Sequence, residues 1–516
     1  MAITKATGPV LGNYTVGTGN VALGDTALDS VQSGGEYNVA IGNNAGTAIT
    51  TGDRNVVIGA SAGDAITTST KNIAVGTSAL TTNSTGDNNV AIGDQALSDN
   101  STASNNTAVG TSALAVNTTG AENVALGSEA LDANTTGVEN VAVGYGSLSN
   151  ATTGSYNTAL GKSALGSNTT ASNNTAVGKS ALAANTTGAN NTALGWGVLR
   201  SVTTASNITA IGYNAGAAFG SGTESVFIGA LCGEDATGCD EVTAVGARAA
   251  ENITTGSRST AVGFKALFTA TTPNDNTAIG REALRDTTTG HSNTGVGKEA
   301  LKLNQTGAGN TCVGYHAGNA ITTGATNVAI GYQALVDTTA TTTGSNNIAI
   351  GSNVRAASVG GDHHIIIGND IDSGADSVAI GKNGNKIENN FTSNATWTRY
   401  SDQNLKTNVA TTDLGLSFIN KLRPVTFNWK NSKDFPDGYA GKDKAEMDTT
   451  TKLYGMLAQE VKTALDEVGH SGFGGWSEDH TGVQSLAQSM FIYPLINAVK
   501  ELSTEVEELK KQLENK

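Results

Sequence analysis

Apolar and polar positions repeat along most of this chain. From Gly42, a glycine closing patterns of the type Asn-x-Ala-x-Gly returns at 59, 76, 93, 110 and 127 and continues without a missed step to Gly331, a span of 289 residues in 17 intervals of 17. Gly24 precedes the run at 18 residues, and Gly351, Gly368 and Gly381 follow at 20, 17 and 13. The residue before each of these glycines is Val, Ile or Leu, and the residue three before it is Val, Ile or Thr. Because successive side chains of a strand point to opposite faces, these two share one face, and Ala and Asn take the other. β-Branched residues suit a pleated, half-buried surface, so Asn106-Thr107-Ala108-Val109-Gly110 and its equivalents predict a short strand. A second apolar pair, as in Ala113-Leu114 and Ala130-Leu131, precedes a turn such as Asn117-Thr118-Thr119-Gly120. Each copy reads as one coil of a parallel β-solenoid, and the fold class is mostly β.

A coil of 17 residues cannot bury its own apolar face, so coils must stack. At roughly 4.8 Å each, about 20 coils give a rod on the order of 100 Å. The recurring Asn lets side-chain amides bond from coil to coil. Ala and Gly give the coil a small-residue face that invites close lateral packing of identical copies, which predicts a homotrimer. Asn89-Val90-Ala91-Ile92-Gly93 and its equivalents resemble the head repeats of YadA-type trimeric autotransporter adhesins, over roughly residues 17 to 381. That resemblance implies parallel β-rolls packed as trimers; the longer period here places extra residues in the Thr/Gly turns. Trp196 and Tyr213 stand just after the glycine in successive coils, as Tyr145, Phe264, Tyr315 and Tyr332 do elsewhere. Exposed rings at a recurring position are candidate glycan contacts, or else staples covering the roll or a seam between chains.

The period ends at residue 382. Residues 382–400 form an Asn-rich connector that ends with Trp397 and Tyr400, and the last 116 residues hold 30 of the 75 charged residues but only 9 of the 65 glycines. This C-terminal part reads as a small mixed α/β domain. Leu414 to Leu422 predicts a helix, Pro424 to Trp429 alternates as a strand, and residues 434–444 form a loop. Tyr454 to Val461 enters a strand-to-helix unit, and Gly469 to Gly475 is another loop. Leu495, Val499, Leu502, Val506, Leu509 and Leu513 alternate spacings of four and three, the a/d seam of a coiled coil, predicted over 485–514. So short a seam needs the preceding domain or partner chains to hold it.

Ser401-Asp402 with Leu405-Lys406, the blocks Leu422-Arg423-Pro424-Val425-Thr426-Phe427-Asn428-Trp429 and Ala458-Gln459-Glu460-Val461, and the closing Ala498-Val499-Lys500-Glu501-Leu502 resemble the peptidase S74 intramolecular chaperone found at the C-termini of phage tail spikes, tail fibres and endosialidases. The resemblance spans residues 401 to about 513, with Asn404 where the family often has Arg. It implies a trimeric chaperone that folds the preceding fibre and then cuts itself off between Tyr400 and Ser401. In that chemistry Ser401 is the nucleophile and Lys406 the base, since a serine hydroxyl attacks only when a base takes its proton and a lysine serves once its pKa is lowered.

Charge and composition narrow the partners. The net charge of −15 comes without the Lys/Arg clusters a phosphate backbone requires, so nucleic acid is not expected. No apolar run approaches a membrane span, and residues 1–20 lack the features of a secretory signal, so membrane insertion is not expected either. Cys232, Cys239 and Cys312 make neither a disulfide framework nor a zinc motif, and Cys312 fills a slot usually held by Ala. His363-His364 is an isolated pair, and no cofactor or metal is expected. The repeats offer no close carboxylate pair of the kind glycan hydrolysis uses. The leading expectation is therefore a tail fibre or tail-spike protein of a virion, made in the host cytoplasm. Residues 1–19 would attach it to other tail proteins, the shaft 20–381 would meet a host receptor, and residues 401–516 would act as chaperone. A glycan-degrading spike with the same chaperone is the alternative. A cellular adhesin would require a secretion signal and a membrane anchor, neither of which the sequence offers.

Overall fold

Each coil contributes only three residues to a strand, and the stack is nonetheless continuous. In the computed structural model, which describes residues 18–336, 343–356, 361–374, 376–390, 403–435, 449–479 and 482–516, strands such as Thr107–Val109 and Val124–Leu126 pair in parallel with no slip, Ala108 opposite Ala125. Repetition of this pairing produces a 23-stranded sheet. The turns are bonded from coil to coil as well: Leu114 N–H donates to the Ala130 carbonyl at 3.0 Å, and Thr118 N–H to the Thr135 carbonyl at 3.0 Å. The Thr118 hydroxyl reaches the same Thr135 carbonyl at 2.8 Å.

The small-residue face expected on the outside is the core. Ala108, Ala113, Leu114, Asn106 and Asn117 are all 0 % exposed. The outward strand positions are the larger ones, with Leu126 38 %, Leu160 46 % and Leu194 45 % exposed. Alternation fixes that Ala and Val lie on opposite faces but not which face is inside. The narrow bore of a short coil decides it, because a methyl fits opposite a full-sized Leu114-type side chain, whereas a branched residue in that slot needs glycine opposite, as fully buried Val57 has in Gly46 and Gly63. Lateral packing through an Ala/Gly face is therefore excluded.

Two ladders of asparagine run through this core. Asn106 Nδ2 donates to the Gly120 carbonyl at 2.9 Å, closing its own coil. Its Oδ1 accepts the Asn123 N–H at 2.9 Å, joining the next. In the second ladder Asn117 Nδ2 donates to Asn100 Oδ1 at 2.8 Å and to the Gly120 carbonyl at 2.9 Å. A buried amide left unmade would cost about 1–3 kcal/mol, so each Asn stabilises two coils at once. Between residues 202 and 253 ladder asparagines give way to Val202, Ile208, Phe219, Val242 and Ile253, and Phe227 replaces the inward alanine; all six are fully buried. Volume is conserved there: the usual Leu114-type position becomes Gly216 and Gly233, whose added Cβ would lie 2.7 Å from Leu199 and 2.3 Å from Phe227 respectively.

The invariant glycine column has a steric cause. At Gly110, φ is +140°, and a Cβ would lie 2.4 Å from the Gly127 carbonyl oxygen of the next coil, a backbone clash no rotamer relieves. Bending the remaining residues into a closed coil also puts non-glycine residues into left-handed conformations, Ser112 at φ 55°, Leu114 at 52° and Glu122 at 62° in one coil. Cys312 occupies its Ala slot between Gly295 and Ala329. Cys232 and Cys239 are free and buried, and burial pushes both thiols up to about 12.

The sheet extends past the expected end of the shaft. Ser377–Lys382 pairs antiparallel with Asn385–Asn390, so the start of the predicted connector is a hairpin that covers the last strand edge, a usual device against edge-to-edge pairing. The remainder of the connector, and residues 1–17 of the expected attachment segment 1–19, lie outside the described residues.

Residues 401–516 form a second compact unit. Helix α1 (Leu416–Ile419) is shorter than predicted, strand Val425–Phe427 pairs antiparallel with Leu453–Gly455, and α2 (Ala458–Glu467) follows. Trp476–Glu478 and Gln484–Leu486 form a hairpin, and α3 spans Ile492–Glu514. The long helix thus starts at Ile492 rather than 485, because residues 484–486 are committed to the hairpin. Leu414, Phe418, Val461, Ala464, Leu465 and Phe491 make the core. Phe473 closes it, its ring centroid 5.8 Å from that of Phe418 and 5.0 Å from that of Phe491. Of the predicted loops, Gly469 to Gly475 lies between α2 and this hairpin, whereas 436–448 is outside the described residues. Among the described residues no helix is long and apolar enough to cross a membrane.

Candidate functional site

The proposed scissile pair, Tyr400 and Ser401, lies outside the described residues. Lys406 follows a short 3-10 turn, Gln403–Leu405; its N–H donates to the Gln403 carbonyl at 3.1 Å, and the residue is exposed.

Immediately after the junction the chain is strapped to α3. Asn497 Nδ2 donates to the carbonyls of Thr412 at 3.3 Å and Leu414 at 3.2 Å. Glu501 Oε2 accepts the Leu416 N–H at 2.6 Å, at the start of α1. A helix beginning there leaves N–H groups without intrahelical partners, and a carboxylate is the favoured acceptor. The strap joins residues 85 apart in sequence, so no local spacing could have revealed it. The closing block around Ala498 and Glu501 is thereby positioned by the residues that follow the junction.

The two central blocks also meet. Arg423 Nε lies 3.1 Å from Glu460 Oε2, and a second guanidinium nitrogen bonds Oε1. This fork-on-fork contact at the first turn of α2 holds the Glu460 carboxyl below its ordinary range, through the Arg423 hydrogen bond. Lys421 Nζ reaches Glu467 Oε2 at 2.7 Å along the same edge. Sequence reading found both blocks by resemblance and missed the pairing.

The coiled-coil positions lie on α3 without cover. Leu495 is 50 % exposed, Val499 59 %, Leu502 48 %, Val506 42 %, Leu509 57 % and Leu513 73 %. Only Pro494 and Ala498 of this helix are buried. From Val499 onward every residue is exposed.

In the solenoid, Trp196 and Tyr213 are brought together, stacked with centroids 5.2 Å apart and planes 11° apart. Tyr315 and Tyr332 stack in the same way at 5.2 Å and 7°. Stacking covers one face each of Trp196, Tyr213 and Tyr332, so the staple role accounts for those faces, while Tyr315 is also stacked on His316 with centroids 4.0 Å apart. The outer faces and the edges remain for other contacts. Among the described residues no group of His, Cys, Asp and Glu has the arrangement of a metal site.

Comparison with known proteins agrees with the C-terminal half of this picture. Residues 401–470 match the family model Peptidase_S74, chaperone of endosialidase; the match ends before α3. A search of curated proteins returned no match. The chain therefore carries, C-terminal to a parallel β-solenoid, a segment similar to the Peptidase_S74 family, an arrangement consistent with a tail fibre or tail spike.

Proposed function

We propose that this protein is the shaft of a phage tail fibre or tail spike, a homotrimer that attaches the virion to a host surface, and that residues 401–516 nucleate the trimer. The observation that carries the reading is the bare a/d face of α3. Six apolar side chains in a row lie 42–73 % exposed on a helix whose every residue from Val499 onward is exposed, and an isolated helix of that length is marginal in water. Burying that face against two further copies would remove the apolar surface from water at about 25 cal/mol per Å².

A nucleus at the C-terminus answers a problem set by the repeat. Coils of equal length make a one-coil slip between chains nearly as good as the correct alignment, and starting three chains from one fixed end removes that choice. Release of the nucleus would then make assembly kinetically irreversible. In the proposed cleavage the Ser401 hydroxyl attacks the Tyr400 carbonyl carbon while Lys406 accepts the hydroxyl proton. The C–N bond breaks, an ester joins Tyr400 to the Ser401 oxygen, and the Ser401 nitrogen, taking the proton that Lys406 accepted, leaves as the amine of the new chain start. Water then hydrolyses the ester to a Tyr400 carboxylate and a free Ser401 hydroxyl. Since nucleophile and scissile bond are neighbours in the chain, folding supplies their alignment.

Intact mass and light scattering of wild type beside Ser401→Ala test both claims. Wild type is expected as a trimeric 1–400 product, and the variant as a full-length trimer. Full-length mass for both would remove the cleavage, and a monomer for both would remove the chaperone role.

A further inference from the structure

The position after the column glycine points away from the core, and its occupants change character along the stack. In the first coils it holds Asp25, Asn43, Ala60, Thr77, Asp94, Thr111 and Ser128, two acids and no base. From the next coil it reads Tyr145, Lys162, Lys179, Trp196 and Tyr213, and then Ala230 and Ala247. The order aromatic, cation, cation, aromatic, aromatic returns 119 residues, or seven coils, later as Phe264, Arg281, Lys298, Tyr315 and Tyr332. A duplicated segment would carry its flanking residues with it. Here Gly146 corresponds to Lys265 and Ser163 to Glu282, so outside the positions every coil shares, the residues beside the column do not follow it.

The first block is the more open of the two. Tyr145 is 51 % exposed, Trp196 44 % and Tyr213 53 %. The Lys162 ammonium sits 5.3 Å from the Tyr145 ring centroid, and among the described residues neither Lys162 nor Lys179 forms an ion pair. In the second block Arg281 lies 2.7 Å from Glu282, and Lys298 lies 3.6 Å from Glu299, which neutralises much of its charge. Two unpaired ammoniums side by side stand out on a chain of net charge −15. The ring of Tyr213 stacks on Trp196 on one side, and the next coil offers only the exposed Ala230 on the other.

We propose that Tyr145, Lys162, Lys179, Trp196 and Tyr213 form a track for a linear acidic polysaccharide lying along the stack. Five positions at roughly 4.8 Å each span about 19 Å, the scale of a few linked sugars. The ammoniums take carboxylates at neighbouring residues of the polymer, the uncovered outer face of Tyr213 takes the apolar face of a sugar ring, and the Tyr213 hydroxyl and the Trp196 N–H take ring hydroxyls, whereas the Tyr145 hydroxyl is held by Glu129. A nucleic acid fits less well, since it asks for cations along its phosphates and open ring faces for its bases. This track specifies the ligand in the attachment role proposed above.

The test uses the purified full-length chain against immobilised polygalacturonate, with dextran as a neutral polymer and oligothymidylate as a phosphate polymer. Mass and oligomeric state are recorded separately, so that failure of the trimer reading is seen apart from failure of the track. Wild type is expected to bind polygalacturonate and not dextran, and to release it near 1 M salt, where the screening length is about 3 Å. K162S/K179S, carrying the residue found at Ser128, is expected to bind about tenfold more weakly, and W196T/Y213S several-fold more weakly. If the serine pair perturbs the fold by circular dichroism, K162Q/K179Q gives the same reading. Absence of wild-type binding, undiminished binding by these variants, equal binding to dextran or tighter binding to oligothymidylate would each overturn the proposal. So would a variant that changes oligomeric state while its binding stays intact, because the column would then be a seam between chains.

Discussion

The solenoid and the C-terminal unit solve the problem of stability in opposite ways. Each solenoid coil is completed by the next, 17 residues away, through repeated backbone pairing and the Asn106-to-Asn123 type of bond. The C-terminal unit draws its core from Leu414, Phe418, Val461 and Phe491, far apart in sequence, and leaves the apolar seam of α3 bare. The first architecture is quasi-one-dimensional and can propagate from any point; the second must come together as a whole. A chain that joins them has an extensible object with no preferred starting point and, in the role proposed above, a small unit that supplies one.

The largest effect expected from breaking this division is at α3. Leu502→Asp with Leu509→Asp should abolish the trimer by light scattering while the strand signal in circular dichroism survives in whatever soluble material remains. A trimer that withstands both charges would move the nucleus elsewhere.

Next in size is the glycine column. Gly178→Ala would place a Cβ 2.2 Å from the Gly195 carbonyl oxygen at φ +127°, and should cost roughly 3 kcal/mol or more, read as a lower denaturation midpoint. In the C-terminal unit Gly472→Ala meets nothing within 4 Å and should change stability by less than about 0.5 kcal/mol. Equal effects would mean that the coils are not in the close contact described.

Asn123→Ala tests the ladder. It removes the acceptor of the Asn140 N–H at 2.9 Å and the donor to the Gly137 carbonyl at 2.9 Å, and should cost about 2 kcal/mol by thermal or urea unfolding.

The smallest effect is a pH dependence at the end of the shaft. His364 replaces Asn in the first ladder, with its N–H on Asn347 Oδ1 at 2.9 Å, and is 0 % exposed. Burial lowers its pKa, against the opposing pull of the Gly374 and Ser373 backbone and of Asp362 and Asp376. His363, at the same edge, pairs with Asp376 at 3.3 Å. Below about pH 6.5 the unfolded chain takes up a proton that the folded one resists. Stability from this site is therefore full above that pH and falls as pH drops. His364→Asn, which restores the ladder residue, should flatten the dependence, seen by hydrogen exchange at residues 348–369. An equal slope in both would assign it to other groups.

How much of this was legible beforehand differs between the units. The 17-residue period, the strand at Thr107–Val109 and its equivalents and the coil-to-coil Asn bonding follow from repetition, because a residue type that recurs every coil must meet itself in the neighbour. In the C-terminal unit, resemblance located the Arg423 and Glu460 blocks. Their ion pair and the Glu501 strap were not visible, since contacts across 37 and 85 residues leave no periodic trace.

The sequence by itself thus determined that this is a stack of equal coils joined to a charged domain with a heptad tail, since periodicity constrains neighbours whatever the final geometry. Only the tertiary structure decided that Ala faces inward and Val outward, that Leu114 and its equivalents adopt a left-handed backbone, and that α3 keeps its apolar face uncovered. Those choices depend on how much room a closed coil leaves inside and on which surfaces are already taken, and both are properties of the packed whole.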